Sequence, residues 1–170
     1  SAALERDLLL SELALLEEQV RRLTAELDRL GSGHPGVRLL STIPGVGPRT
    51  AEAVVAYIDD PDRFGHSGQV GAYFGLVPRQ DQSAATNRLG HITKEGPASV
   101  RQLVVEASWQ VIRRSATAKA RFERIAGGQK ERRKIALVAV GHWLLRCMHA
   151  MLRTGEVWRE RPSAANSAAA

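Results

Sequence analysis

The chain has 170 residues, 44% of them hydrophobic and 25% charged, and a formal net charge of +6 at neutral pH. That composition is ordinary for a globular protein and excludes intrinsic disorder as the ground state, while the positive balance favours polyanionic partners, nucleic acid first among them. The single cysteine, Cys147, excludes an intrachain disulfide scaffold and suits a cytoplasmic protein; no apolar run approaches the roughly 20 residues of a membrane span, so no membrane partner is expected.

The expected fold class is all-α, with an N-terminal long coiled-coil helix over residues 1–33, a compact helical domain over 34–158 and a disordered tail over 159–170. In the first segment Leu9, Leu13, Leu16, Val20, Leu23, Leu27 and Leu30 alternate steps of four and three residues, which holds one apolar seam on one helix face. Glu12, Glu17, Gln19 and Glu26 flank the seam, and Gly31-Ser32-Gly33 followed by Pro35 ends it. The seam predicts a partner helix from a second copy, making residues 9–30 a homo-oligomerisation element, or a returning segment of the same chain; the alternative is a helix packed on its own domain.

Short helices broken by Pro and Gly follow: Val37 to Thr42, a tight turn at Pro44-Gly45-Val46-Gly47, then Pro48 to Ile58. Together 37–58 match a helix-hairpin-helix pattern. Its two glycines allow a sharp turn and a close approach, so that N–H groups at the start of the second helix can meet a phosphate while Arg49 adds charge beside them. Gly45, Val46, Gly47 and Arg49 are therefore candidate nucleic-acid contacts of a kind that grips the backbone without reading bases. The alternative is an αα-hairpin whose glycines merely allow close packing.

Asp59-Asp60-Pro61-Asp62 makes the next turn, and Ser67 to Phe74 a further helix. Residues 75–96 are polar and lack periodic apolar positions, which predicts an exposed loop or irregular hairpin of catalytic type. Hydroxyls stand there beside Arg79, Arg88, His91 and Lys94. A serine attacking a phosphodiester needs cations to meet charge on the phosphate and an acceptor for its proton. By composition alone a basic loop with a serine is more often a phosphate-contacting loop than a catalytic one. Core helices over 97–154 complete the domain: one to about Arg114, a shorter basic one to Ile125, and a broad apolar one carrying Ile135, Leu137, Val138, Val140, Trp143, Leu144, Cys147, Met148 and Met151.

Read in order, Thr42-Ile43-Pro44-Gly45-Val46-Gly47-Pro48, the Phe64 to Gln69 turn, Ala72-Tyr73-Phe74-Gly75-Leu76-Val77-Pro78, Ser83, Gly90-His91-Ile92-Thr93-Lys94-Glu95-Gly96 and Val100-Arg101-Gln102-Leu103-Val104 form a series of blocks. The series resembles the C-terminal transposase domain of the insertion-sequence 110 family. The resemblance spans roughly Val37 to Ser115 and is weaker over the final helices. It implies a DNA recombinase guided by a structured bridging RNA, with DNA and guide RNA as partners and Ser83 as the nucleophile that forms a covalent phosphoserine link. It also implies Mg2+, held by four acidic residues of an N-terminal domain that this sequence does not contain. The chain alone is then expected to bind but not cut, with the Arg79 to Leu89 stretch mobile until that domain completes the site. The family commonly has Ser-Gly where this chain has Ser83-Ala84. Arg88, Lys94 and Arg101 match basic family positions, and with Arg79 they are candidate phosphate or RNA contacts.

Other clusters favour structural readings. Asp59, Asp60 and Asp62 suit turn capping better than a metal, and His142, Cys147 and His149 scatter around a helix, so no metal site is expected in the chain itself. Lys130-Glu131-Arg132-Arg133-Lys134 is either a solvated helix start or a nucleic-acid-facing patch. Trp109, Trp143 and Trp158 read as packing residues on helical segments. A second function class stands beside the transposase reading: a non-catalytic helix-hairpin-helix module that binds DNA and oligomerises. A third is a scaffold without nucleic-acid function.

Overall fold

The computed structural model describes residues 1–83 and 86–160, with the side chains of 80–90 outside the description. Among the described residues the protein is all-α apart from one two-stranded sheet: α1 (Ala2–Gly33), α2 (Pro35–Leu40), α3 (Pro48–Ile58), a 3-10 turn (Pro61–Arg63), α4 (Ser67–Tyr73), β1 (Pro78–Ser83), β2 (Thr86–Ile92), α5 (Ala98–Arg114), α6 (Ala116–Ala126) and α7 (Arg133–Thr154). The chain divides into two compact units, Ser1–Pro35 and Gly36–Ala170.

The first unit is the 32-residue α1, about 48 Å long at ~1.5 Å per residue. Leu9, Leu13, Leu16, Val20, Leu23, Leu27 and Leu30 all stand exposed, as do Leu4, Leu8, Leu10 and Leu15. Ion pairs one turn apart, Arg21 with Glu18 and Arg29 with Glu26 at 2.6 Å, support the helix from its polar side.

The second unit is organised around α7, which packs on α4, α5, α6 and the 3-10 turn. Its apolar positions are too many for one stripe, so it is covered from several sides. Leu144, Leu145 and Met148 are fully buried with Phe74, Leu40, Ile43, Ile58, Val70 and Val104, each large side chain contributing roughly 1.5–3 kcal/mol on burial. By length and composition α7 could cross a membrane, with a mean hydropathy of 1.5, but half of that stretch is buried within the unit. His142 and Arg146 interrupt its apolar run. Ile135, placed on the apolar surface of this helix by its sequence, is instead 61% exposed at the first turn.

Local signals set the ends. Pro48 lies in the first turn of α3, where a missing N–H costs nothing. Ser115 caps α6 by accepting from the Ala118 N–H at 3.1 Å, and Gly127 closes that helix in the left-handed region. Asp60 caps the 3-10 turn by accepting from the Asp62 N–H at 2.8 Å, and Arg153 pairs with Asp62 at 2.9 Å, which gives the acidic turn its structural use. His149, buried, brings Nε2 to 2.8 Å from the Pro61 carbonyl oxygen.

After α7 the chain runs back over the unit. The Trp158 N–H donates to Thr42 Oγ1 at 3.1 Å and the Trp158 ring meets Trp143 edge-on, with centroids 5.8 Å apart. Trp158 thus packs as expected but from a non-helical segment, because Gly155 has already ended α7. Glu160 accepts from Ser115 Oγ at 2.9 Å and from the Thr117 N–H at 2.7 Å, so this residue of the tail is held at the start of α6; residues 161–170 of the expected disordered tail lie outside the described residues.

Candidate functional site

In the turn between α2 and α3, Gly45 has φ +97°, and a Cβ there would sit 2.7 Å from the backbone of Gln110 and Val111 on α5. Its glycine character is therefore required by the approach of the protein's own helix. Val46 is 7% exposed and faces the core. Gly47 differs: its φ is −84°, open space surrounds it, and it precedes an α3 first turn that has no side-chain cap. Arg49 Nη1 donates to Glu52 Oε2 at 2.6 Å, one turn along the same helix. Of the four candidates of this motif, Gly45 and Val46 are thus taken up by packing, Gly47 is exposed, and Arg49 is half-buried in its ion pair with Glu52.

Strands β1 and β2 pair antiparallel with an irregularity between Pro78 and Gln80, the irregular hairpin that was the second of the two forms expected of this stretch. Ser83 pairs with Thr86 at its far end, and Asp81 with Arg88. The side chains of Ser83 and Arg88 lie outside the described residues, as does the expected mobility of most of Arg79 to Leu89. Arg79, His91 and Lys94 are exposed.

An isolated two-stranded hairpin is marginal in water, and this one is secured at its base. Phe74 and Leu76 are buried, and Ile92 packs against the same core. The Thr93 N–H donates to the Val77 carbonyl at 3.0 Å and the Lys94 N–H to the Gly75 carbonyl at 3.2 Å. Gly75 and Gly96 interlock the two sides: both have positive φ, and a Cβ would fall 2.4 Å from the Glu95 carbonyl oxygen in the first case and 2.0 Å from that of Tyr73 in the second. Lys94 also has positive φ, at 58°, a region costly for a residue with a side chain.

Arg101, in the first turns of α5, completes this base: its Nη1 donates to the Glu95 carbonyl at 2.8 Å and to the Phe74 carbonyl at 3.3 Å. The sequence reading offered Arg101 to phosphate or RNA and missed this bond, because Phe74 lies 27 residues away in the chain. Also missed was a basic face on α6 and α7 around Arg121, Arg124 and Arg146, for which the short basic helix was the available signal. Among the described residues no group of three or more His, Cys, Asp and Glu side chains gathers as a metal site.

These elements coincide with a shared sequence block. The model of the transposase IS116/IS110/IS902 family matches residues 37–123, just over half of the chain, and spans α3, the hairpin with its base, and α5. A probable family 20 transposase of Pseudomonas aeruginosa is 33% identical over 129 residues, covering 76% of this chain and 38% of that protein. A protein of insertion element IS110 in Streptomyces coelicolor is 25% identical over 153 residues, or 90% of this chain and 38% of that protein. The transposase for insertion sequence element IS1111A of Coxiella burnetii is 32% identical over 105 residues, or 62% and 29%. The chain therefore spans less than two fifths of the length of each of these relatives. With the family block laid over the hairpin and its base, the chain belongs to the IS116/IS110/IS902 family of transposases.

Proposed function

We propose that this chain is the nucleic-acid-handling and nucleophile-bearing part of a DNA transposase, and that Ser83 is the nucleophile of DNA strand cleavage and exchange. The observation that carries the reading is the position of Ser83 in the closing strand pair of a polar hairpin, inside the block that the family shares. A firm base with a polar far end suits a group that must be delivered into a substrate bound by other surfaces.

The chemistry is a transesterification. The Ser83 oxygen attacks phosphorus, the bond from phosphorus to a DNA sugar oxygen breaks, and the hydroxyl proton passes through an acceptor to the departing sugar oxygen. One phosphodiester is replaced by another, so the step is reversible and the stored link can be resealed to a second strand end. Arg79, Arg88 and Lys94 supply positive charge near the phosphate, and Gly47 and Arg49 at the start of α3 hold the backbone. The Mg2+ implied by the resemblance does not fit a side-chain cluster among the described residues, and its four acidic ligands belong to a companion domain. A structured guide RNA joins DNA as the second polyanionic partner. The exposed seam of α1 supplies homo-oligomerisation through residues 9–30, since a lone helix with such an apolar row gains little without a partner surface.

The test is Ser83→Ala and Ser83→Cys in a protein carrying this chain together with the magnesium-binding domain. Loss of the covalent protein–DNA species and of recombination, with DNA binding retained, is the expected result. Recombination unchanged by Ser83→Ala would leave the non-catalytic DNA-binding and oligomerisation module as the reading.

A further inference from the structure

The packing of α6 on α7 gathers basic side chains that neither the hairpin nor α3 carries. On α6, Arg121 and Arg124 stand one turn apart; on α7, His142 and Arg146 do the same. Arg121 lays its guanidinium over the Trp143 ring, 5.3 Å from the centroid, which sets the α6 cations over the middle of α7. Arg146 Nε donates to Ser67 Oγ of α4 at 3.2 Å, which fixes the third guanidinium.

This face gathers three arginines without a carboxylate partner among the described residues. Arg29, Arg49 and Arg153 each have a carboxylate partner. Among the described residues Arg121, Arg124 and Arg146 have none, and Glu123 of α6 is directed to Lys119 at 4.0 Å. Arg121 Nε is buried without a hydrogen-bond partner, although a guanidinium placed out of water normally has its donors matched. Arg121 is held below its ordinary pKa, by burial first and then by Arg124, with Arg146 adding to the effect and Cys147 opposing it. His142 is likewise held low, by burial first and Arg146 second, so it adds no charge of its own at neutral pH. Like charges brought together without a counter-charge are unfavourable, and a phosphate oxygen offers the exposed guanidiniums of Arg124 and Arg146 a charged acceptor.

We propose that the α6–α7 face around Arg121, Arg124 and Arg146 is a second nucleic-acid surface, which takes the sugar–phosphate backbone in addition to contacts made through α3 and the hairpin. It goes beyond the assignment of Ser83 and rests only on the reading of the chain as a nucleic-acid-binding protein. Arg121 lies inside the matched block of residues 37–123, and Arg124 and Arg146 lie outside it.

The test titrates the chain with duplex DNA and with a folded RNA hairpin across a salt series. Three variants run alongside: Arg124→Gln with Arg146→Gln, Arg124→Lys with Arg146→Lys, and Arg79→Gln with Lys94→Gln. Both arginines of the first pair are exposed, so far-UV circular dichroism and Tm are expected to match the parent. Affinity is expected to fall about tenfold in the glutamine pair and the slope of log K against log salt to become shallower by about 1 to 2; the lysine pair keeps the slope. Weakening on RNA alone, or on DNA alone, supports the proposal and names the occupant. Parent-like affinity and slope on both polymers in the glutamine pair would overturn it, and weakening of the Arg79 and Lys94 variant in that same experiment would leave the proposed function standing. Failure of the unmodified chain to bind either polymer overturns this inference and removes the nucleic-acid contacts assigned to the chain alone.

Discussion

Arg101 and Glu95 stand six residues apart, and the guanidinium of the first donates to the main-chain carbonyl of the second at 2.8 Å while also reaching Phe74. One side chain thereby ties the exit of the hairpin to the end of α4. Hydrogen bonds to a charged donor contribute about 1.5–3 kcal/mol when partly shielded, so Arg101→Ala is expected to lower Tm by several degrees. Amide exchange at Thr93 and Lys94 should rise more than in α7, and the salt slope of nucleic-acid binding should hold. A shallower slope with unchanged exchange would return Arg101 to phosphate contact.

Gly45 and Gly47 separate packing from exposure within one turn. Gly45→Ala meets the α5 backbone at 2.7 Å and a φ of +97°, and is expected to destabilise the domain by about 2–4 kcal/mol. Gly47→Ala enters open space at φ −84° and should cost no more than about 1 kcal/mol, the loss of a preferred helix-cap residue. Chemical denaturation checks both, and equal costs at the two positions would contradict the geometry.

The contrast also shows what a sequence carries. The helix from Pro48 to Ile58 is set by signals within a few residues, and its expected and observed limits coincide. The Gly-Val-Gly turn is as readable, but whether Gly45 admits a ligand or a helix depends on α5, some 65 residues on. Polar residues 78–92 have no apolar alternation to mark strands, because the hairpin buries only its base. Trp158 and Glu160 carry no local pattern at all; their places follow from a return of the chain onto Thr42 and the start of α6. The exposed seam of α1 was plain from its spacing, whereas the face formed by Arg121, Arg124 and Arg146 needs two helices to exist.

Lys94 occupies a left-handed conformation at φ 58°. A side chain there costs about 1–2 kcal/mol that glycine avoids. Lys94→Gly is accordingly expected to raise stability by about 1 kcal/mol while weakening nucleic-acid binding, the opposed pair of effects that a strained functional position gives. Greater stability with unchanged affinity would remove Lys94 from the interface.

Leu16 and Leu23 stand on the exposed seam of α1. Leu16→Glu with Leu23→Glu is expected to convert an oligomer to a monomer in sedimentation and to reduce helicity, since two charges enter an apolar contact. An unchanged sedimentation coefficient would exclude this seam as the contact between copies.

Glu160 gives the chain a defined acid sensitivity. Burial pushes its carboxyl pKa up, but hydrogen bonds from Thr117, Ser115 and the Trp158 indole together outweigh burial and hold it below the ordinary glutamate value. The folded state then binds the proton less readily than the unfolded one. The stabilising contribution is full above the unfolded pKa of about 4.3 and is lost as pH falls through the lower folded value. Because Glu160 is exposed, solvent screening keeps that contribution small, and the effect is local. Protonation should release residues 155–160 from the start of α6 before the core responds. Trp158 fluorescence and the Thr117 amide signal are expected to shift together on acidification, ahead of any change in far-UV circular dichroism. Glu160→Gln should show the released signals already at neutral pH. A Thr117 amide that follows global unfolding instead would mean that the return of the chain is held by the Trp143–Trp158 contact and the Thr42 bond, with Glu160 contributing nothing measurable.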